Sequence, residues 1–203
     1  MKIRLAVLVL CIGSCASNAQ SNSPQSEEEP ARDIEQNPPG VTLAIATVDG
    51  RSTYRVSDQI RFTLSFTSKE SSLYTAELTP GGNVAGSNDD FVITGPGIAK
   101  PTHLLPDLNL GVVCCGSDRK YIRQKPLAAT SSLNLRLAWE FLNRRHPTIP
   151  ARPADLKPGD YAIFVRTRRV MRGLPKSQHD VYFAVGDIVV TSSNIVHIKI
   201  LTD

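Results

Sequence analysis

Two adjacent cysteines, Cys114 and Cys115, are the residues whose types most directly allow chemistry; they lie in the stretch DLNLGVVCCGSDRKYIR. Neighbouring Cα atoms are about 3.8 Å apart across a trans peptide, whereas disulfides prefer about 4.4–6.8 Å, so a bond between them requires a distorted peptide. A strand would point the two side chains to opposite faces and forbid the bond, whereas a turn at residues 116–118 allows it. Three states stay open: a strained vicinal disulfide, two inert thiols, or bonding to a partner.

The other candidate ligands and nucleophiles do not form a catalytic or metal-binding motif. The four histidines are scattered, and no H-x-H, H-E-x-x-H or C-x-x-C spacing is present. The stretch GSNDD, with Asp89 and Asp90, lacks the ligand register of a calcium loop and predicts a solvated turn. No G-x-S-x-G elbow or P-loop occurs either. We therefore predict no metal, no cofactor and no catalytic residue.

The first residues predict export from the cytoplasm. MKIRLAVLVLCIGSCASNAQ has two basic residues before an apolar run that is too short to span a membrane, followed by small residues. Cleavage after Ala19 would give a signal peptide of residues 1–19. The stretch Ile12 to Cys15 also resembles a bacterial lipobox, in which residues 1–14 are removed and Cys15 is lipidated. Both outcomes place the mature protein outside the cytoplasm, either periplasmic or secreted, or anchored by lipid in the bacterial envelope.

A change of composition at Val41 predicts the start of a single domain. Residues 20–40 are rich in proline and acidic residues and lack apolar periodicity, which predicts a disordered acidic linker. Residues 41–203 are enough for one hydrophobic core.

Alternation of apolar and polar residues predicts an all-β domain. In QIRFTLSFTS the apolar residues Ile60, Phe62, Leu64 and Phe66 recur at every second position, as expected for a strand with one buried face. SSLNLRLAW, with Leu133, Leu135 and Leu137, YAIFVRT and NIVHIKI repeat the pattern. With the weaker candidates VTLAIAT, SSLYTAEL, DFVITG and DVYFAVGDIVVT, seven or eight strands result, which favours a single antiparallel β-sandwich.

Two stretches resemble secreted bacterial immunoglobulin-like domains. The L-x-P-G-x-Y form, here Leu156, Pro158, Gly159 and Tyr161, is similar to the corner before a late strand of immunoglobulin-like and fibronectin-like sandwiches. YRVSDQIRFTLSFTS resembles a stretch of the group related to the intracellular proteinase inhibitor of bacilli, with Ser57 where glycine is usual. The resemblance implies an Ig-like sandwich in which the tyrosine hydroxyl bonds to upstream backbone.

The segment from residue 79 to residue 130 exceeds what a minimal sandwich needs. We predict that it is a long loop insertion, and ordered loops on a rigid sandwich often carry binding. A covering for a sheet edge is the alternative.

Charge is distributed unevenly along the chain. Residues 20–40 carry a net charge of −4, whereas residues 119–176 hold fourteen basic residues against three acidic ones. Arg166 and Arg168 are predicted on the outer face of one strand and Arg136 on that of another, and Arg169 completes the candidate binding set. Arginine suits carboxylate and phosphate contacts, so candidate partners are an acidic protein, a glycan or a lipid headgroup. A mixed, soluble surface is the alternative, nucleic acid is not expected, and membrane contact would come only from a lipid anchor.

Three classes of function fit these observations. An exported noncatalytic Ig-like binding module is the first. By resemblance only, the second is a protein similar to a protease inhibitor. The third is an extracytoplasmic hydrolase or thiol-redox protein. We favour the binding module.

Overall fold

The computed structural model describes residues 25–70, 73–78, 88–105, 119–140, 152–173 and 188–203 of the chain. Within these ranges the protein is mostly β, as the sequence predicts, with one helix at the N-terminal end. The elements are α1 (Gln25–Glu35), β1 (Val41–Thr47), β2 (Thr53–Arg55), β3 (Gln59–Ser68), β4 (Tyr74–Glu77), β5 (Asp89–Thr94), β6 (Thr102–Leu105), β7 (Arg119–Tyr121), β8 (Leu127–Asn134), β9 (Trp139–Glu140), β10 (Arg152–Pro153), β11 (Gly159–Arg172), β12 (Ile188–Ser192) and β13 (Val196–Leu201).

The first sheet contains three antiparallel strands in the order β1, β3, β8. β3 lies in the middle, and its apolar residues from Ile60 to Phe66 are all buried, because the two-residue period places them on one face. β8 ends earlier than predicted. The Asn134 side chain accepts hydrogen bonds from the backbone N–H groups of Arg136 and Leu137, which turns the chain and leaves Leu137 56% exposed.

The second sheet is built around β11 and curls into a half-barrel. The first half of β11 lies between β13 and β5, and its second half lies between β12 and β4. A β-bulge between Thr167 and Val170 separates the two halves. β6, β9 and β10 extend the sheet beyond β5, β7 pairs with β4, and β2 pairs with β13 in parallel.

Side chains from both sheets form one hydrophobic core. The ring centroids of Phe62 on β3 and Phe91 on β5 are 5.1 Å apart, so the two sheets meet directly. At one edge, Ser193 bridges to Leu43 on β1, and the Asn194 side chain bonds to both backbone polar groups of Ile45. These bonds connect the first sheet to the break between β12 and β13.

Residues 79–130, predicted as a loop insertion, instead supply strands β5, β6, β7 and the start of β8. β5 is the decisive difference, because it pairs with β11 at the centre of the second sheet. Phe91, Val92 and Ile93 are all fully buried, so both faces of β5 are covered. A strand covered on both faces lacks the polar alternation on which the sequence prediction relied.

The structure also differs from the disordered linker predicted for residues 20–40, because residues 25–35 form helix α1. Arg32 pairs with Glu28 one turn earlier, and Pro30 is buried. Contacts with β12 hold the helix on the second sheet, and no periodicity in the sequence signals such long-range contacts.

Candidate functional site

The four arginines predicted as a binding set do not share one face. Arg166 and Arg168 point to the outer side of β11, as predicted, and Arg168 is exposed. Arg169 points into the protein and is buried. Arg136 lies in the turn that follows β8, close to Asp203, whose pKa is lowered chiefly by hydrogen bonding from Ser57.

Arg166 is at the centre of what we call the outer-face cluster: Asp33, Asp90, His103 and Arg166. Nε of Arg166 donates a hydrogen bond to Oδ2 of Asp33, which lies on α1, and Nη2 forms an ion-pair contact with the same oxygen. On the other side, Nη1 of Arg166 lies 3.5 Å from Nε2 of His103, and Nδ1 of His103 lies 2.7 Å from Oδ2 of Asp90. The guanidinium also lies 5.6 Å from the ring centroid of Phe164. In this cluster the Arg166 guanidinium therefore lies beside an aromatic ring and already binds a carboxylate.

Asn37, just after α1, makes a second connection to the sheet. Its side-chain nitrogen donates to the carbonyl oxygen of Ser192 over 2.8 Å, and its side-chain oxygen accepts from the N–H of the same residue over 2.7 Å. This amide makes the two hydrogen bonds that a neighbouring strand would make to an edge residue.

Arg169 belongs to a separate buried ion pair with Asp89, and both side chains are 1% exposed. Nε and Nη2 of Arg169 bond to the two carboxylate oxygens of Asp89 over 2.8 and 2.6 Å. The remaining guanidinium donors reach the carbonyl oxygens of Glu77, Leu78 and Thr130. Because Thr130 lies on β8, Arg169 also connects the two sheets. The role of Arg169 is structural, which corrects its place in the predicted binding set.

Glu77 lies next to this ion pair on β4. Its carboxylate accepts a hydrogen bond from Asn88 over 3.2 Å, and Oε2 lies 3.7 Å from Nη2 of Arg119. Burial raises the pKa of Glu77 above its ordinary value of 4.5, and attraction by the Arg119 and Arg169 guanidiniums opposes that shift.

The predicted corner, Leu156, Pro158, Gly159 and Tyr161, lies at the start of β11. The Tyr161 hydroxyl is 2.6 Å from the carbonyl oxygen of Lys157 and 3.2 Å from that of Pro96, so it bonds to upstream backbone. The ring packs so closely on Gly95 that a Cβ atom there would stand 2.3 Å from Tyr161 Cδ1. Burial raises the pKa of the phenol, which keeps the hydroxyl protonated and able to donate.

Sequence reasoning missed Asp89, Asp90 and His103. The solvated turn predicted for GSNDD is wrong at its aspartates, because these adjacent residues are buried on opposite faces of β5. A signal existed for Arg169: Tyr161, Ile163 and Val165 set the inward phase of β11, and continuing that phase by two-residue steps places Arg169 inside. No comparable signal existed for His103.

Cys15, Cys114 and Cys115 lie outside the described residues, so their predicted states remain predictions. Among the residues that are described, no group of three His, Cys, Asp or Glu side chains could hold a metal ion. In the same part of the chain, no helix has the length and apolar character required to span a membrane.

Neither comparison with known sequences relates the chain to a characterised protein: no family model matches it, and a search of curated proteins finds no similar sequence.

Proposed function

We propose that this protein is an exported, noncatalytic Ig-like module that binds an acidic protein partner through the outer face of β11. One observation carries the proposal: Arg166, next to the Phe164 ring, already binds the carboxylate of Asp33. A guanidinium that is positioned for a carboxylate inside the chain is suited to a carboxylate from another chain.

The Ig-like part of the proposal is supported by the corner at Tyr161. In immunoglobulin-like sandwiches a tyrosine near the start of a late strand bonds through its hydroxyl to backbone a few residues upstream. Tyr161 has this position in β11 and this bond to Lys157. A single core between two sheets whose strand pairs are antiparallel except for β2 and β13 supports such a sandwich.

The acidic partner is supported by the residues that surround Arg166. Arg168, two positions further along β11, is exposed on the same face and adds a second positive charge. The internal occupant of Arg166 is a carboxylate, which favours an acidic protein over a sulfated glycan or a phosphate headgroup. Export is supported by residues 1–19, or by residues 1–14 with a lipidated Cys15.

Binding of poly-L-glutamate at low and high salt tests the proposal. We expect binding at low salt that weakens as salt screens the charges. Arg168→Ala should weaken it by about two- to fivefold, the range for an exposed ion pair. Arg136→Ala is the matched control, because it removes the same charge from an exposed position in the turn after β8, away from β11.

Equal effects of the Arg168 and Arg136 substitutions would show that net charge, and not this face, controls binding. Heparin or anionic phospholipid vesicles in place of poly-L-glutamate test the other partner classes. Tighter binding to either would replace the acidic protein by a glycan or a lipid surface.

A further inference from the structure

The N-terminal segment 25–37, which we call the strap, lies on the surface assigned to the partner. α1 contacts β12, Asp33 binds Arg166, and Asn37 binds both backbone polar groups of Ser192. Residues 38–40, Pro-Pro-Gly, join the strap to β1. The strap is therefore a segment before β1 that is held by side-chain contacts, not a strand integrated into a sheet.

The strap shields the ion pair between Asp33 and Arg166 from most of the solvent. The side chains of Arg166 and Asp33 are 16% and 17% exposed, and Phe164 beneath them is buried. If the strap moved away, the Arg166 guanidinium would lose the Asp33 carboxylate and keep the Phe164 ring, whose centroid lies 5.6 Å from it. That combination provides a charged and an apolar contact for an incoming chain.

β12 adds an edge of the second sheet to this surface. β12 pairs only with β11, among the strands that the structure describes. Its outward side chains Ile188 and Val190 are 43% and 45% exposed, and the strand IVVTS carries no charge. Charged residues are a common protection of edge strands, and β12 has the strap near it instead.

We propose that the strap is an intramolecular occupant of a docking surface formed by Arg166 and the edge of β12. The partner that fits this surface is an acidic, extended protein segment. Its carboxylate would replace that of Asp33 at Arg166, and its backbone would replace the Asn37 amide at Ser192, as in strand addition to a sheet edge. This inference rests on the acidic partner proposed above and adds how the partner binds and what controls it.

The strap lowers the apparent affinity for any external segment, because only the open fraction of the protein can bind. Its attachment to β1 makes its own binding intramolecular, which favours the closed state at every protein concentration. Weakening the strap should therefore increase binding without any change in the docking surface.

A labelled synthetic peptide of residues 25–40 tests the inference by fluorescence anisotropy on the full chain. The released variant is Asp33→Asn with Asn37→Ala, which weakens the tethered strap and leaves the surface unchanged. The peptide should bind the released variant about tenfold more tightly than the wild type, as for a strap closed about nine-tenths of the time. A third substitution, Arg166→Ala, should remove this binding, whereas Arg136→Ala should not.

A second peptide that itself carries Asp33→Asn should bind the released variant much more weakly, and this arm requires no further change in the protein. Equal binding of the first peptide to wild type and released variant would overturn the inference, as would equal binding of the two peptides. If the peptide arms fail but poly-L-glutamate binds through Arg168, the proposed function stands and the strap is only structural. If the peptide arms succeed and poly-L-glutamate does not bind, the strap stands as an occupant and the acidic partner fails.

Discussion

Replacing Arg169 by alanine should destabilise the protein more than any other single arginine substitution on β11. The Asp89 side chain is only 1% exposed, and the substitution would remove the guanidinium that binds both of its carboxylate oxygens. It would also remove the donors to the carbonyl oxygens of Glu77, Leu78 and Thr130. Removing one partner of a buried ion pair costs about 3–5 kcal/mol.

The expected loss can be measured as the change in free energy of unfolding from urea titrations followed by circular dichroism. Arg168→Ala is the matched control, since the adjacent side chain is exposed and its loss should change stability by no more than about 0.5 kcal/mol. The double variant Arg169→Met with Asp89→Leu removes both charges. It should recover much of the loss, because apolar residues can replace a buried ion pair of similar volume.

A loss of less than about 1 kcal/mol in the free energy of unfolding for Arg169→Ala would refute the reasoning. An unpaired buried carboxylate destabilises a protein by more than that unless water reaches it. A double variant that is less stable than Arg169→Ala would contradict the account in another way. It would show that the Asp89 carboxylate is still stabilised without Arg169, for example by the hydrogen bond from the Thr167 hydroxyl.

Three further predictions concern other positions. Gly95→Ala should cost about 1–3 kcal/mol in unfolding titrations, because the new methyl group meets the Tyr161 ring, whereas Tyr161→Phe should cost about 0.5–1.5 kcal/mol for the lost hydroxyl bond. Because the pKa of Glu77 is raised, the folded state holds this proton more tightly than the unfolded chain does. Stability should therefore fall as pH rises above 4.5, and Glu77→Gln should remove that part of the pH dependence. The Tyr54 hydroxyl and Arg51 lower the pKa of Asp49 to about 2, so stability should fall between pH 3.8 and 2, and acid titration of Asp49→Asn should lack this component.

The strands that could be predicted are those with apolar residues on one face and polar residues on the other. β3 and the first half of β11 alternate regularly, and the corner at Tyr161 has a local sequence form, so each was recognisable without tertiary information. The stretch DFVITG of β5 was only a weaker strand candidate inside the predicted insertion, because both faces of the strand are covered and polar alternation is absent. α1 was missed because Asp33 and Asn37 bind residues more than 130 positions away, which no local pattern encodes.

The candidate site was predicted only in part, for a related reason. Charge counting selected both Arg166 and Arg169, although their neighbours along the chain give them opposite environments. Adjacent residues of a strand face opposite sides, so Asp89 and Asp90 direct one carboxylate to Arg169 inside and the other to His103 outside. Composition cannot separate these roles, whereas the phase of the alternation can.

The two arginines therefore differ in what their loss should reveal. Arg169 is fully enclosed, and every group it contacts is needed inside the fold, so its loss should act on stability. Arg166 contacts the strap, and the side chains of its ion pair with Asp33 are 16% and 17% exposed, against 1% for both side chains of the Arg169–Asp89 pair. Loss of the pair would release a segment that precedes β1 and would leave both sheets and their shared core in place, so Arg166→Ala should change binding far more than unfolding. If both substitutions instead destabilise the protein equally, Arg166 is a structural residue, and the proposal that the outer face of β11 is a binding site fails.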